Sequence, residues 1–425
     1  MLIELRAKNC FSFLDEIRFS TKADMRNKKF SSNVYTENNF NILKTVGIYG
    51  PNNAGKTCLV KCIRSAKNIL LNQKPHIMPN IFQENTICQL GITFLEEGRE
   101  FSYDFWYNDK NEEYPYEKYA EITKDQYGNE KENIWLLKDT INGIYQYGDE
   151  ELLKMIPLMS QSNLLFYLVD VSKFQKLAEM KQIVMKFALK IDIVNMNNIP
   201  LKHTINLMKD QNDLQRKVVE FIKNADLYMD NFEYVDMDKI CVEMDSDEQK
   251  PEEKALDIPE QVMDQIRLVS VYRGVPVPSV LFDSTGTKKI AALASYIIEG
   301  IEQGRILIVD ELDSSIHFKL TRAIVAMFNN ELNTNAQMIF TIHDINLMDC
   351  KKMLRKEQIW FVHKDNTGVY VYSLAEFTAQ KGVRDTTDII EKYRKGVLGA
   401  LPDPELIRSL LSLKGNRKEV PVDGE

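Results

Sequence analysis

Gly50-Pro-Asn-Asn-Ala-Gly-Lys-Thr57 is the stretch on which the reading of this chain turns. An apolar run, Thr45-Val-Gly-Ile-Tyr49, leads into it, and a helix-like run from Cys58 to Leu71 leads out. Strand, tight loop and helix in that order are the setting that a phosphate-binding loop of the pattern Gly-x4-Gly-Lys-Ser/Thr requires. Each position has a chemical reason. Gly50 and Gly55 let the backbone bend and come close to oxygen atoms. The loop N–H groups of Asn52, Asn53 and Ala54, with the helix N-terminus, make a positive cradle for phosphate. Lys56 is expected to reach the β- and γ-phosphates, and the Thr57 hydroxyl to ligate Mg2+. The competing reading is a chance glycine-rich turn, and the flanking strand and helix weigh against it.

A second constellation lies far along the chain. Ile306-Leu-Ile-Val-Asp310-Glu311 reads as an apolar strand ending in two carboxylates. Beside a phosphate loop, Asp310 is expected to hold Mg2+ and Glu311 to orient and polarise the attacking water. His343 ends the next apolar run, Met338-Ile-Phe-Thr-Ile-His343, the place for a γ-phosphate sensor. A lone histidine at a strand end is more often structural, and only its position after the acidic pair raises it. His317, in Leu312-Asp-Ser-Ser-Ile-His317, is the weaker case, because a helix N-cap by Asp313 or Ser314 explains much of that segment. Asp283-Ser-Thr-Gly-Thr287 precedes a helical run, so Ser284, Thr285 and Gly286 form a second candidate anion site. One domain rarely needs two such sites for one nucleotide. The economical explanation is that this one meets the nucleotide bound by another copy. An ordinary Ser/Thr cap is the plainer alternative.

The totals fit a soluble globular protein. The chain has 425 residues, 44% hydrophobic and 27% charged, with a net charge of -8. That length allows about two to three domains' worth of core. The net charge does not indicate nucleic acid, although it says nothing about a local basic patch. The six cysteines form no Cys-x-x-Cys pair, and Cys58 and Cys62, one helical turn apart, read as small packing residues. Met1-Leu-Ile-Glu-Leu-Arg carries charge too early for a signal peptide, and no apolar stretch approaches a membrane span. The expected compartment is a reducing cytoplasm.

The pattern divides the chain into four parts. Residues 1–149 read as the N-terminal half of a nucleotide-binding domain, with hairpins around Glu97-Gly98 and Gly128-Asn129. Residues 150–264 read as a largely helical insertion with an acidic loop at Asp245–Glu253. Residues 265–402 resume the domain. They begin with a strand over Gln265–Tyr272 and include a hairpin around Asp365-Asn-Thr-Gly368. Residues 403–425 are a polar tail.

With these motifs in order, the chain resembles an ABC-type ATPase head of the SMC and RecF kind. Within that group it resembles the prokaryotic AAA-domain proteins called abortive-infection ATPases. The marks are Asn9-Cys-Phe-Ser-Phe13, Gly50–Thr57, Asp283–Thr287, Asp310-Glu-Leu-Asp-Ser-Ser-Ile-His317, His343 and the tail Tyr393-Arg-Lys-Gly-Val-Leu-Gly-Ala-Leu-Pro402. The resemblance implies an α/β P-loop NTPase: an ABC-type ATPase head with a mixed sheet, an antiparallel β-lobe and a helical insertion. It implies ATP and Mg2+ as ligands. It also implies head-to-tail pairing, with Ser284 and Gly286 of one copy touching the γ-phosphate held by Lys56 of the other. His317 then occupies the turn that crosses the interface, and His343 the switch-histidine position. The chain departs from the pattern where Asn53 stands in place of a glycine. It also lacks the Leu-Ser-Gly-Gly-Gln signature of transport heads. Gln83, Gln89 and Gln161 are equal candidates for the glutamine-loop residue. Relatives with a TOPRIM nuclease carry it after the ATPase core. Here the chain beyond His343 is short, and Asp236-Met-Asp238 precedes the signature, so no nuclease is expected.

The function implied is an ATP-driven sensor or scaffold of an anti-phage, abortive-infection system. Its trigger would be a phage protein and its effector a separately encoded toxin or nuclease, TOPRIM type included. The alternatives are a repair or recombination ATPase that grips duplex DNA, and a nucleotide-dependent interaction module that does not hydrolyse.

Overall fold

The computed structural model describes residues 1–38, 40–125, 129–210, 212–225, 227–235, 259–378, 383 and 387–401. The acidic loop 245–253, the pair Asp236 and Asp238, and the tail 403–425 lie outside the described residues.

Thr45–Tyr49, Ile306–Asp310 and Gln337–Thr341 are buried at every position. Strands this continuously apolar belong in the middle of a parallel sheet covered on both faces. They pair in that way: Gln337–Thr341 lies between the other two, parallel to both. Ile359–Lys364 extends the sheet in parallel beyond Thr45–Tyr49, and Val369–Ser373 closes it antiparallel. At the opposite edge Ile191–Asn195 runs parallel to Ile306–Asp310. The register brings Asn195 level with Asp310, Phe340 with Val309, and Ile48 with Thr341. The carboxyl ends of the strands therefore meet at one rim, where open α/β sheets bind ligands.

The edge strand departs from the expected layout, because it comes from within the supposed helical insertion 150–264. Burial gives the reason. Ile191 and Val194 bury their side chains almost completely only as part of the sheet. The preceding helix Gln175–Leu189 shares a core with Lys56–Leu70, and its Phe187 stacks on Phe94 with ring centroids 4.2 Å apart. The helices Lys202–Lys209 and Asp213–Asn224 do stand outside the sheet. They pack on Ala291 and Ala294 of helix Thr285–Gln303. A second departure is local. The strand expected over Gln265–Tyr272 begins at Leu268, and Glu260–Arg267 is helical, with Asp264 and Arg267 one turn apart.

The N-terminal half builds a separate antiparallel sheet of seven strands. Its centre is Ile87–Glu96, Arg99–Asn108 and Glu113–Lys124. Glu97 and Gly98 both have positive φ, the two-residue turn that matches strand twist. Leu2–Lys8 forms part of this sheet and is tied to the central one by Gln337. The Gln337 carboxamide accepts from Leu2 N–H at 2.9 Å and donates to the carbonyls of Leu2 and Leu43. Helices Thr285–Gln303 and Phe318–Phe328 cover the other face of the central sheet. No helix among the described residues is long and apolar enough to cross a membrane.

Candidate nucleotide site

The loop Gly50–Thr57 leaves the central strand Thr45–Tyr49 and enters helix Lys56–Leu70. Gly50 has φ +151°, and a Cβ there would lie 2.2 Å from the Val362 carbonyl oxygen, so both conformation and space demand glycine. Asn53 replaces a glycine of the resembled pattern at φ +62°, a left-handed conformation that asparagine tolerates. The Lys56 ammonium folds back on its own loop, donating to the carbonyls of Gly50 at 2.7 Å and Pro51 at 3.0 Å. Burial lowers its pKa from the ordinary lysine value, opposed by the charges of Asp310, Glu311 and Asp313. Ser12, from the Asn9–Phe13 motif, lies beside Gly55: a Cβ built on Gly55 would be 3.0 Å from its Oγ. That hydroxyl is buried and has no hydrogen-bond partner among the described residues.

Asp310 is buried at the rim and held by its neighbours. Its Oδ1 accepts from Thr341 Oγ1 at 2.6 Å and lies 3.4 Å from Thr57 Oγ1, while its Oδ2 accepts from Asn195 Nδ2 at 2.9 Å. Glu311 has φ +58°, so the chain turns sharply at the end of the strand. Its N–H donates to Thr341 Oγ1 at 2.7 Å, and its carboxylate accepts from Asn197 Nδ2. The structure thus brings Lys56, Thr57, Asp310 and Glu311 to one rim. Hard oxygen donors from Thr57 and Asp310 suit Mg2+. The unpartnered Ser12 hydroxyl and the glycine cradle suit a phosphate oxygen.

His343 follows the strand Gln337–Thr341 at the same rim. Its backbone N–H and that of Asp344 both donate to Asp313 Oδ2, at 3.0 and 2.8 Å, and its side chain is exposed. His317, not Asp313 or Ser314, caps helix Phe318–Phe328, its Nδ1 accepting from Lys319 N–H at 3.3 Å. Ser284 caps helix Thr285–Gln303, accepting from Thr287 N–H at 3.1 Å. Gly286 is pressed on the acidic loop: a Cβ there would lie 2.6 Å from the Ser315 carbonyl oxygen. Among the described residues no hydrogen bond joins Ser284, Thr285 or Gly286 to Lys56 or Thr57 of the same chain. Just before the turn, buried Asp283 accepts from the hydroxyls of Ser270, Ser279 and Tyr272 at 2.6, 2.6 and 2.8 Å. Burial and this bond push the Tyr272 phenol up to about 12.

None of the three glutamine candidates joins the acidic pair. Gln89 lies in the antiparallel sheet, Gln161 accepts from Thr140 Oγ1 at 3.0 Å, and Gln83 closes a turn with Asn80. Among the described residues, the carboxamides bonded to the acidic pair are those of Asn195 and Asn197. Their only local trace in the sequence is the short stretch Ile191-Asp-Ile-Val194, interrupted by Asp192 and followed by polar residues.

The chain is similar to an SMC head domain from Thermotoga maritima, at 13% identity and a TM-score of 0.40, covering 88% of this chain and 98% of that one. It is also similar to an SMC head bound to the C-winged helix domain of ScpA, at 13% identity and a TM-score of 0.43, covering 90% of this chain and 99% of that one. No curated protein matches it. Residues 46–349 match the family described as "AAA domain, putative AbiEii toxin, Type IV TA system", a span running from the phosphate-loop strand past His343. That span is well over half of the 425 residues, and the chain belongs to this AAA-domain family.

Proposed function

We propose that this chain binds and hydrolyses ATP, and that ATP pairs two copies head to tail as the switch of a toxin-linked defence system. The observation that carries the proposal is the convergence of Lys56, Thr57, Asp310 and Glu311 at one rim of the parallel sheet. In this reading the N–H groups of Gly50–Thr57 cradle the phosphates, and Lys56 leaves its loop carbonyls for the β- and γ-phosphates. Thr57 and Asp310 would hold Mg2+, which when bound neutralises charge on the transferring phosphoryl group. Glu311 takes a proton from the attacking water. His343 senses the γ-phosphate. Ser284, Thr285 and Gly286 reach a nucleotide held by a second copy, which accords with the finding that, among the described residues, none of them bonds Lys56 or Thr57 of its own chain. The family description, which names a putative toxin and a type IV toxin–antitoxin system, supports a toxin–antitoxin setting; a separately encoded toxin or nuclease as effector and a phage protein as trigger belong to the proposal.

The test is ATP turnover by the purified chain. Turnover in the wild type that disappears in Lys56→Ala and Glu311→Gln is the expected result. Turnover unaffected by either change refutes the proposal.

A further inference from the structure

We propose that Asn197 is the positioning residue for Glu311, fixing the carboxylate so that one oxygen faces the attacking water. This rests on the ATPase reading above and adds a residue to it.

Asn197 comes from the edge of the sheet, not from the acidic loop. It follows strand Ile191–Asn195 in a tight turn, Met196–Asn198. Two contacts fix that turn. Met196 is completely buried, and Asn195 Oδ1 accepts from Asn197 N–H at 2.8 Å. From there the two asparagines divide the acidic pair between them. Asn195 Nδ2 donates to Asp310 Oδ2 at 2.9 Å, and Asn197 Nδ2 donates to Glu311 Oε2. Each carboxylate thus has its own carboxamide, and the two amides cannot exchange partners without breaking the turn.

The Asn197 carboxamide is oriented in its turn. Its Oδ1 accepts from Ser314 Oγ at 2.6 Å, which fixes which end of the amide faces Glu311. Lys289 Nζ donates to Ser314 Oγ at 3.0 Å and reaches Ser315 Oγ at 3.3 Å. Lys289 lies on the helix whose first turn carries Gly286. The chain Glu311, Asn197, Ser314, Lys289 therefore runs from the proposed base to the helix that would meet a second copy. A carboxylate bonded at one oxygen keeps the other free as a proton acceptor, with its rotamer already chosen. Among the described residues Asn197 bonds Glu311, Ser314 and Asn195 and makes no hydrogen bond to the phosphate loop, so its removal is expected to alter turnover and spare ATP binding.

The experiment measures kcat and KM for ATP for wild type, Asn197→Ala, Asn197→Asp and Ser314→Ala. Thermal unfolding of each variant checks the fold, since Asn197 is exposed. Asn197→Ala is expected to lower kcat about ten- to a hundredfold, as for groups that orient a reacting side chain, at unchanged KM. Asn197→Asp keeps the shape, removes the Nδ2 donor and is expected to lower kcat at least as far as Asn197→Ala, again at unchanged KM. Ser314→Ala should lower kcat in the same direction by less. Wild-type turnover that needs Glu311 yet is unchanged in kcat by both Asn197 variants overturns this inference and leaves the ATPase reading standing. Absence of Glu311-dependent turnover in the wild type overturns both.

Discussion

The Thr341 hydroxyl fixes Asp310 in place, its Oγ1 donating to Asp310 Oδ1 at 2.6 Å and itself accepting from the Glu311 N–H at 2.7 Å. One side chain on the neighbouring strand therefore sets both halves of the acidic pair. Thr341→Val keeps the shape and removes both bonds. It should cost about 1–3 kcal/mol of stability, because a buried donor and acceptor lose their partner. It should also raise the Mg2+ concentration for half-maximal turnover by about tenfold or more. A Mg2+ titration of ATP turnover beside thermal unfolding measures both, and an unchanged Mg2+ requirement removes Thr341 from the account.

Gly286 presses on the Ser315 carbonyl, where a methyl group would lie 2.6 Å from the oxygen. Gly286→Ala must push the signature turn and the acidic loop apart, at about 1–3 kcal/mol for overpacking. Since the residue is distant in bonding from Lys56, ATP affinity should be retained while ATP-dependent pairing weakens. Nucleotide titration combined with light scattering separates these effects. Equal loss of affinity and pairing would mean that Gly286 serves its own chain's nucleotide.

Burial holds the Lys56 pKa below its ordinary value when the ammonium bonds only to loop carbonyls. A bound triphosphate favours the charged form and raises it again. The sign follows: between neutral pH and the ordinary lysine value, near 10.4, the free chain binds fewer protons than the complex. ATP binding at alkaline pH should therefore take up protons, and affinity should fall as pH rises. Calorimetry in buffers of different ionisation enthalpy reads the uptake directly; its absence would place Lys56 away from the phosphates.

How much of this was legible in the sequence depends on whether the cause is local. Gly50–Thr57, Ile306–Glu311 and the turn at Glu97-Gly98 were readable because loop chemistry and continuous apolar runs act over a few residues. Ile191–Asn195 was not. Asp192 interrupts its apolar run, and its compensation is Arg305, 113 residues away, which donates from Nε at 2.5 Å and from Nη2 at 2.9 Å. The strand also follows helix Gln175–Leu189 after a single residue, so the helical pattern masked it. Asn195 and Asn197 owe their roles to carboxylates 115 and 114 residues further on, which no window of sequence contains. Gln265–Arg267 end helix Glu260–Arg267, although Ile266 continues the apolar pattern of the strand Leu268–Tyr272.

The antiparallel lobe depends on a buried charge. Glu117 is fully buried, pairs with Lys138, and accepts from Tyr103 OH at 2.9 Å and from Leu165 N–H at 3.1 Å. Glu117→Ala strands the Lys138 ammonium and should cost about 3–5 kcal/mol. The double change Glu117→Leu with Lys138→Met should recover much of that, because no unpaired charge is left inside. Chemical denaturation of the single and double variants provides the comparison; a double variant no more stable than Glu117→Ala would contradict the assignment.

The most direct measurement is the solution mass of Glu311→Gln with and without Mg·ATP, by sedimentation equilibrium. The account predicts a single chain without nucleotide and at least twice the chain mass with it, and no change in Lys56→Ala. A Glu311→Gln protein that binds ATP and stays at the mass of one chain would contradict it.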